Sequence, residues 1–245
     1  MELKPIRTGD PAFGRGVTYD AADLAAAEQG PQSARRVLRN TYLLLALTMV
    51  PTLAGAWVGM QMAGVMMAHP IMTLVLMLAS TFGLQFAIVR YRNSAAGVAL
   101  LLLFTGLMGA FLGPLLNVAL AMRNGMQLVG YAAVGTGAIF FTMGAIATTT
   151  KRDFGFMGKF LMVGMIALLV ALVANAFLQI PALALTLSTL VVIVFSLFLL
   201  YDLNRIVRGG ETNYVMATTG VYLSLINIFA SLLQILMALS GNSRD

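Results

Sequence analysis

The sequence predicts an all-α integral membrane protein with seven transmembrane helices. Of its 245 residues, 60% are hydrophobic and 10% are charged, and the mean hydropathy is +0.90. Because water-soluble domains are only about 45–50% apolar, this composition indicates a polytopic membrane protein. Seven apolar runs after residue 40 support that conclusion, since each is close to or above the ~20 residues that a helix needs to cross a bilayer.

Short breaks that contain Pro, Gly, Asn or charged residues separate the seven runs. The predicted spans are Thr41–Met67, Pro70–Val89, Ala95–Met122, Gln127–Thr149, Gly158–Leu178, Pro181–Tyr201 and Tyr214–Ser240. The seven-helix transmembrane domain therefore covers residues 41–240, and residues 241–245 form a short C-terminal tail.

Residues 1–40 differ in composition from the rest of the chain. They contain five of the nine acidic and six of the fifteen basic residues, with Gly and Pro scattered between them. Such a segment has too little apolar surface to bury a core, so we expect a flexible N-terminal tail. One short helix is expected at Ala21–Gln29, where Asp20 can cap the first turn.

The basic residues predict the orientation of the bundle in the membrane. Thirteen of the fifteen Lys and Arg fall in the tail or at the alternate breaks on the same side as the tail, and only Arg123 and Arg244 fall on the other side. Because an excess of Lys and Arg marks the cytoplasmic side, the N-terminus is expected in the cytoplasm and the C-terminus in the periplasm. The net charge of +6 is spread over these short loops, which argues against binding of nucleic acid.

The residue types that carry most enzyme chemistry are scarce. The chain has no Cys and a single histidine, His69, so neither a thiolate metal site nor a catalytic triad can be assembled. Intramembrane aspartyl chemistry needs two acids, and only Asp202 is available at membrane depth. We therefore expect a protein that is not an enzyme and that holds no metal or cofactor.

Asp202 is the first candidate functional residue. It follows the sixth predicted span at its cytoplasm-facing end, and the other six runs contain no acid. An acid at that depth is expensive to keep, so it is expected to carry a proton or to pair with a cation. The alternative is that its carboxylate only reaches the headgroup layer.

Small and polar residues form a stripe along the seventh predicted span. They are separated by three or four residues, which places them on one face of a helix. The stripe comprises Ala217, Gly220, Ser224, Asn227, Ser231 and Gln234. A polar stripe in lipid must face protein or water, so this helix is expected to be central in the bundle or to line a pore. Interhelical hydrogen bonding without a pathway is the alternative.

Glycines recur at helical spacing in three of the other spans. Gly55 and Gly59 form one pair, Gly109 and Gly113 form a second, and a third set in the fourth span repeats every seven residues. Small residues let helix backbones approach closely in lipid, so these positions predict helix packing. The members of the third set are Gly130, Gly137 and Gly144.

Several segments resemble the Bax inhibitor (transmembrane Bax-inhibitor-motif) family. They are Tyr201–Ile206, Tyr222–Phe229 and the loop Lys151–Gly158, whose order of basic, acidic and aromatic residues is similar to the family's. Four more segments resemble the family's bacterial YccA-type subgroup, and the resemblance extends over residues 35–240. These segments are Arg36–Tyr42, Gly113–Asn117, Asn175–Leu183 and Gly209–Tyr214.

The resemblance to this subgroup implies a multi-pass protein of the bacterial inner membrane. It implies that the protein binds the FtsH membrane protease and its accessory membrane complex, and that it restrains proteolysis of other membrane proteins. It also implies that the cytoplasmic tail is the segment by which FtsH engages the protein.

The wider family implies an alternative function, a pH-influenced cation leak that conducts calcium. In such relatives two aspartates share a proton and an arginine on the second helix latches one of them. Asp202 matches the first aspartate, Arg90 is the nearest counterpart of the arginine, and Ser224 stands where the second aspartate would be. Two carboxylates in contact can switch at mild pH, so the loss of one puts steep gating by calcium or protons in doubt.

Overall fold

The computed structural model describes the backbone of residues 21–150 and 154–241, and the side chains from residue 34 onward within those ranges. The described ranges contain helices and no strands. The helices are α1 (Ala21–Gln61), α2 (Ala63–Ala68), α3 (Pro70–Tyr91), α4 (Ala95–Ala121), α5 (Gly125–Thr149), α6 (Met157–Leu178), α7 (Pro181–Val207) and α8 (Tyr214–Gly241).

Seven of these helices are long and apolar enough to cross a membrane, which confirms the predicted number of spans. The first span is the segment Ala34–Gln61 of α1, and the other six are α3 to α8. All six begin within two residues of the predicted positions. Hydropathy locates them well because each is bounded by residues that are costly to bury in lipid.

The ends of three helices differ from the sequence prediction. The backbone is helical from Ala21, where mostly flexible chain was expected, and the short helix predicted at Ala21–Gln29 is part of α1. Its N-terminal residues are rich in Ala, the best helix former, which favours this extension. Residues 1–20 and 242–245, and with them the predicted Asp20 cap, lie outside the described residues.

The other two differences concern the first and the sixth predicted spans. Met62 has φ −90° and ψ 0°, which interrupts the first predicted span between α1 and α2. The sixth span was predicted to end at Tyr201, whereas α7 continues to Val207. The additional turns bury Leu203 and Ile206, so packing extends this helix beyond its apolar run. Asp202 consequently lies inside a helix.

Helices α1 and α4 make the closest contact in the described bundle. A Cβ atom at Gly55 would overlap the backbone of Gly106, and one at Gly59 would overlap the backbone of Ala110. On α4, Cβ atoms at Gly109 and Gly113 would overlap the backbone of α1 in the same way. The close packing predicted for these two glycine pairs is therefore confirmed.

The glycines of α5 do not pack in this way. Gly130 and Gly137 have no atom within 4 Å of the position of a Cβ, and at Gly144 the only neighbour within that distance is the tip of Leu203, 3.9 Å away. The prediction of close helix packing at this set is wrong for the described chain. Spacing places the three glycines on one face but does not determine which way that face points.

Helix α8 packs against α1, α4, α5 and α7, and more weakly against α3. Its Tyr222 is 1% exposed, and the phenol oxygen lies 2.9 Å from the Thr52 hydroxyl of α1. The Tyr222 hydroxyl also donates a hydrogen bond to the carbonyl of Thr105 on α4, over 3.1 Å. The ring also makes an edge contact with Phe104. One side chain thus joins three helices in the core.

We expect substitutions at the α1–α4 contact to destabilise the protein where substitutions on α5 do not. Gly59→Ala places a methyl group against rigid backbone and should lower the free energy of unfolding by about 1–3 kcal/mol. Gly137→Ala, the matched control, meets open space and should be neutral or slightly stabilising. Thermal unfolding in detergent measures both, and equal effects would contradict the described packing.

Candidate functional site at the loop end of α7 and α8

The turn from α7 to α8 is held by backbone and side-chain hydrogen bonds. Gly209 has φ +74°, a left-handed conformation that glycine adopts easily, and its N–H donates to the carbonyl of Ile206. Asn213 precedes α8, and its Oδ1 accepts from the N–H groups of Val215 and Met216 at 3.0 and 3.1 Å. Asn213 is therefore the N-cap of α8.

An ion pair closes this turn. The Arg205 Nη2 lies 2.7 Å from the Glu211 Oε2, and the Arg205 Nε donates to the carbonyl of Gly210 over 3.3 Å. The other oxygen of Glu211 accepts from the N–H of Asn213 at 3.0 Å. The side chain of Glu211 is only 14% exposed, so the carboxylate of this ion pair is largely shielded from solvent.

Two asparagines connect this turn to the neighbouring loops. The Asn213 Nδ2 donates to the carbonyl of Arg92 at 3.0 Å and to the Asn93 Oδ1 at 2.7 Å, in the loop between α3 and α4. The Asn204 Oδ1 accepts from the N–H of Phe154, in the loop between α5 and α6, over 3.3 Å. Three loops thereby meet at one end of the bundle.

Asp202 lines an open pocket of about 240 Å³ at this end. Its side chain is partly buried and lies against α8, where a Cβ at Gly220 would come within 2.6 Å of the Asp202 Oδ2. A glycine at position 220 is what gives the carboxylate its space. The other polar or charged residues of the lining are Gln85, Arg92, Arg205, Glu211 and Thr219.

The pocket is lined by two carboxyl and two guanidinium groups, of which only one carboxyl and one guanidinium form an ion pair with each other. Arg205 is engaged by Glu211, and no described residue makes an ion pair with Asp202. In the part of the chain that the structure describes, no group of three or more His, Cys, Asp or Glu side chains could hold a metal ion. The arrangement can exchange a proton at Asp202 or attract one cation to it.

The structure does not bring Arg90 to Asp202. The Arg90 side chain is exposed, with its guanidinium carbon 5.9 Å from the centre of the Tyr91 ring, and the pocket is lined by Arg92 instead. Two residues span just over half a turn of helix, so the two arginines leave the end of α3 in different directions. Ser224 is 2% exposed on α8 and is not among the lining residues of the pocket.

The stripe on α8 is buried over part of its length only. Ala217, Ser224 and Ser231 are buried, whereas Gln234 is exposed and its Oε1 accepts from the Ser188 hydroxyl of α7 at 2.8 Å. The Asn227 Nδ2 donates to the carbonyl of Leu223 within α8. These bonds join α8 to α7 and to itself. A pore along the stripe stays a prediction.

Sequence reasoning missed several residues that organise this end of the protein. Asn213 carried a usable signal, because an Asn directly before an apolar run is typical of a helix N-cap. Asn204 and Glu211 were noticed only as parts of family segments, and nothing in the spacing of these two residues or of Arg92 indicated their partners, which lie on other elements. Tyr222 was noticed as part of a family segment, but nothing in its spacing indicated bonds to α1 and α4.

Seven apolar helices with a polar cluster at one end define a polytopic membrane protein. The chain belongs to the Bax inhibitor family, because the family model described as inhibitor of apoptosis-promoting Bax1 matches residues 34–242. It is 40% identical, over 204 aligned residues, to the protein of Escherichia coli K12 named modulator of FtsH protease YccA. The alignment covers 83% of this chain and 90% of that protein.

Two further relatives match over a similar length. The protein named inner membrane protein YccA, from Escherichia coli O6:H1, is also 40% identical over 204 residues, with the same coverage of both chains. An uncharacterized membrane protein of Vibrio cholerae is 41% identical over 207 residues, which are 84% of this chain and 91% of that protein. The predicted bacterial YccA-type resemblance is confirmed, and the chain is a multi-pass protein of the bacterial inner membrane.

Proposed function

We propose that the protein binds the FtsH membrane protease and modulates its proteolysis of other membrane proteins. One observation carries this proposal. A relative named as a modulator of that protease is 40% identical to this chain, and the match covers 90% of the relative's length. The seven-span architecture suits a partner that is itself anchored in the membrane. As in the sequence-based prediction, the accessory membrane complex of FtsH is included as a partner, and the protein acts without catalysis of its own.

The N-terminal segment is the proposed contact for the protease. In this proposal residues 1–40 form the cytoplasmic segment, residues 41–240 form the transmembrane domain and residues 241–245 form the C-terminal tail. Because α1 is helical from Ala21, its first turns continue the membrane helix toward the cytoplasm in this orientation. Residues 1–20 are then followed directly by α1, the helix that packs against α4.

The orientation belongs to the same proposal. A cytoplasmic N-terminus and a periplasmic C-terminus follow from the distribution of Lys and Arg. The polar end with Asp202 then faces the cytoplasm, and α8, which packs against four helices and touches a fifth, is the central helix.

We expect single cysteines to report this orientation cleanly, because the natural chain has none. Arg123→Cys, in the exposed loop before α5, should react with a membrane-impermeant maleimide in cells whose outer membrane is permeable. Ser94→Cys, exposed in the loop before α4, should react only after the inner membrane is opened. The reverse pattern would overturn the orientation, and the cysteine-free parent is the control.

We expect FtsH to copurify with the full chain from membranes in mild detergent. Deletion of residues 2–20, which leaves α1 whole, should slow degradation of the protein, because the protease loses the segment by which it engages the chain. Deletion of residues 242–245 is the control and should change nothing. Overproduction of the parent should also lengthen the half-life of a membrane substrate of FtsH.

Two outcomes would contradict this proposal in different ways. Absence of FtsH from the purified material would exclude a stable complex. Copurification with an unchanged half-life of the truncated protein would exclude residues 2–20 as the segment that FtsH engages, while leaving the complex intact.

A second candidate function is a pH-influenced cation leak that conducts calcium ions, and one observation favours it. Asp202 is the only acid inside the seven spans, and its carboxylate faces an open pocket beside Gly220 with no cation paired to it among the described residues. The charged groups around it are Arg92, Arg205 and Glu211. In this proposal Asp202 is the gate and the α8 stripe lines the path, while Arg90 and Ser224, the other predicted members of the latch, lie outside the pocket in this structure.

If the leak exists, calcium flux into liposomes should vary with pH for the parent and lose that variation in Asp202→Asn. The substitution keeps the size of the side chain but removes its proton exchange and its charge. Asp245→Asn makes the same chemical change at the last residue and should behave as the parent. Flux that is absent at every pH, or that Asp202→Asn leaves unchanged, would rule out this function.

A further inference from the structure

A second pocket opens at the polar end of the bundle, between the start of α6 and the end of α7. Its volume is about 320 Å³. The described lining comprises Gly155, Tyr201, Asn204, Arg205, Arg208 and Gly210. Arg205 borders this pocket and the Asp202 pocket, and none of the other lining residues is shared.

The described lining of this pocket is rich in hydrogen-bond donors. Arg205 and Arg208 contribute guanidinium groups, and Tyr201 contributes a phenol that has no hydrogen bond with any described residue. No carboxylate occurs among the described lining residues, since Glu211 borders only the Asp202 pocket. Arg208 makes no ion pair with a described residue. A pocket of this composition favours an anion, above all one with the geometry of a phosphate.

The position of the pocket indicates which anion it meets. It lies where the apolar run of α7 gives way to Asp202, Arg205 and Arg208, near the end of the candidate span Pro181–Val207, where we expect the lipid headgroups. Next to it, at the start of α6, Phe156 and Phe160 are 78% and 79% exposed, and Lys159 between them is exposed as well. Cations beside exposed apolar rings match the two chemical parts of an anionic phospholipid.

Helix α6 also shapes the pocket. A Cβ at Gly158 would lie 2.8 Å from the phenol oxygen of Tyr201, so the first turn of α6 passes close to the end of this side chain. The phenol therefore lies close to the backbone of α6 at the wall of the pocket. Tyr201 lines the same pocket as Arg205 and Arg208, and its hydroxyl makes no hydrogen bond with a described residue.

We propose that this pocket binds the phosphate of an anionic phospholipid of the cytoplasmic leaflet, with Arg208 and Tyr201 as its main ligands. The acyl chains lie along α6, against Phe156 and Phe160. Arg205 adds positive potential but stays committed to Glu211. This lipid site does not depend on binding to FtsH or on ion conduction at Asp202, and its assignment to the cytoplasmic leaflet rests on the proposed orientation.

Native mass spectrometry of the purified full chain with added phosphatidylglycerol tests the proposal, with phosphatidylcholine as the zwitterionic comparison. Arg208→Gln should weaken retention of the first phosphatidylglycerol roughly fivefold, the order expected for one cation near an anionic lipid. Arg123→Gln removes the same charge from an exposed loop at the other end of the bundle and should leave that first binding step unchanged.

Two further arms keep the result decisive. Tyr201→Phe removes the phenol oxygen and should also weaken retention of phosphatidylglycerol. If Arg208→Gln does not fold, this second variant tests the proposal in its place. Inorganic phosphate at millimolar concentration should not displace the lipid; displacement would indicate a site for soluble phosphate and overturn the assignment to lipid. Equal losses in Arg208→Gln and Arg123→Gln, or equal retention of the two lipids by the parent, would also overturn it.

Discussion

Helices in lipid gain no hydrophobic free energy by leaving lipid for one another, and this constraint governs the whole bundle. Association has to come from close packing and from hydrogen bonds between helices. The α1–α4 contact supplies the first, because glycines on both helices bring the two backbones together. Tyr222 supplies the second, because its buried hydroxyl bonds to Thr52 and Thr105 on those same helices. The remaining helices pack around this three-helix unit or against α7.

The two ends of α8 are tied down by different polar contacts. At one end Asn213 caps the helix and reaches the loop between α3 and α4. Toward the other end Gln234 bonds to Ser188 of α7, and Ser240 bonds to Asn124 before α5. Between these ends, α8 contacts most of the bundle. The helix that carries Tyr222 in the core is therefore the same helix that polar contacts fasten at both loop ends.

Arg205 divides the polar end into two chemically distinct pockets. Through its ion pair it brings Glu211 into the wall of the Asp202 pocket, which therefore carries both signs of charge. The described lining of the neighbouring pocket carries positive charge only. The same end of the protein thus presents one pocket of mixed charge and, among the described residues, one pocket lined only by positive charge.

The sequence by itself determined the number of spans, most of their bounds and the family, because apolar runs and their polar breaks report the cost of burial in lipid. It also indicated the glycine pairs of α1 and α4. Only the tertiary structure decided which glycine faces pack, since spacing groups the residues of a face without orienting it. It likewise decided that α7 continues past Asp202, because burial of Leu203 and Ile206 stabilises turns that hydropathy does not mark. And it placed Arg92 rather than Arg90 in the wall of the Asp202 pocket, because the direction in which a side chain leaves a helix end depends on packing between elements far apart in the chain.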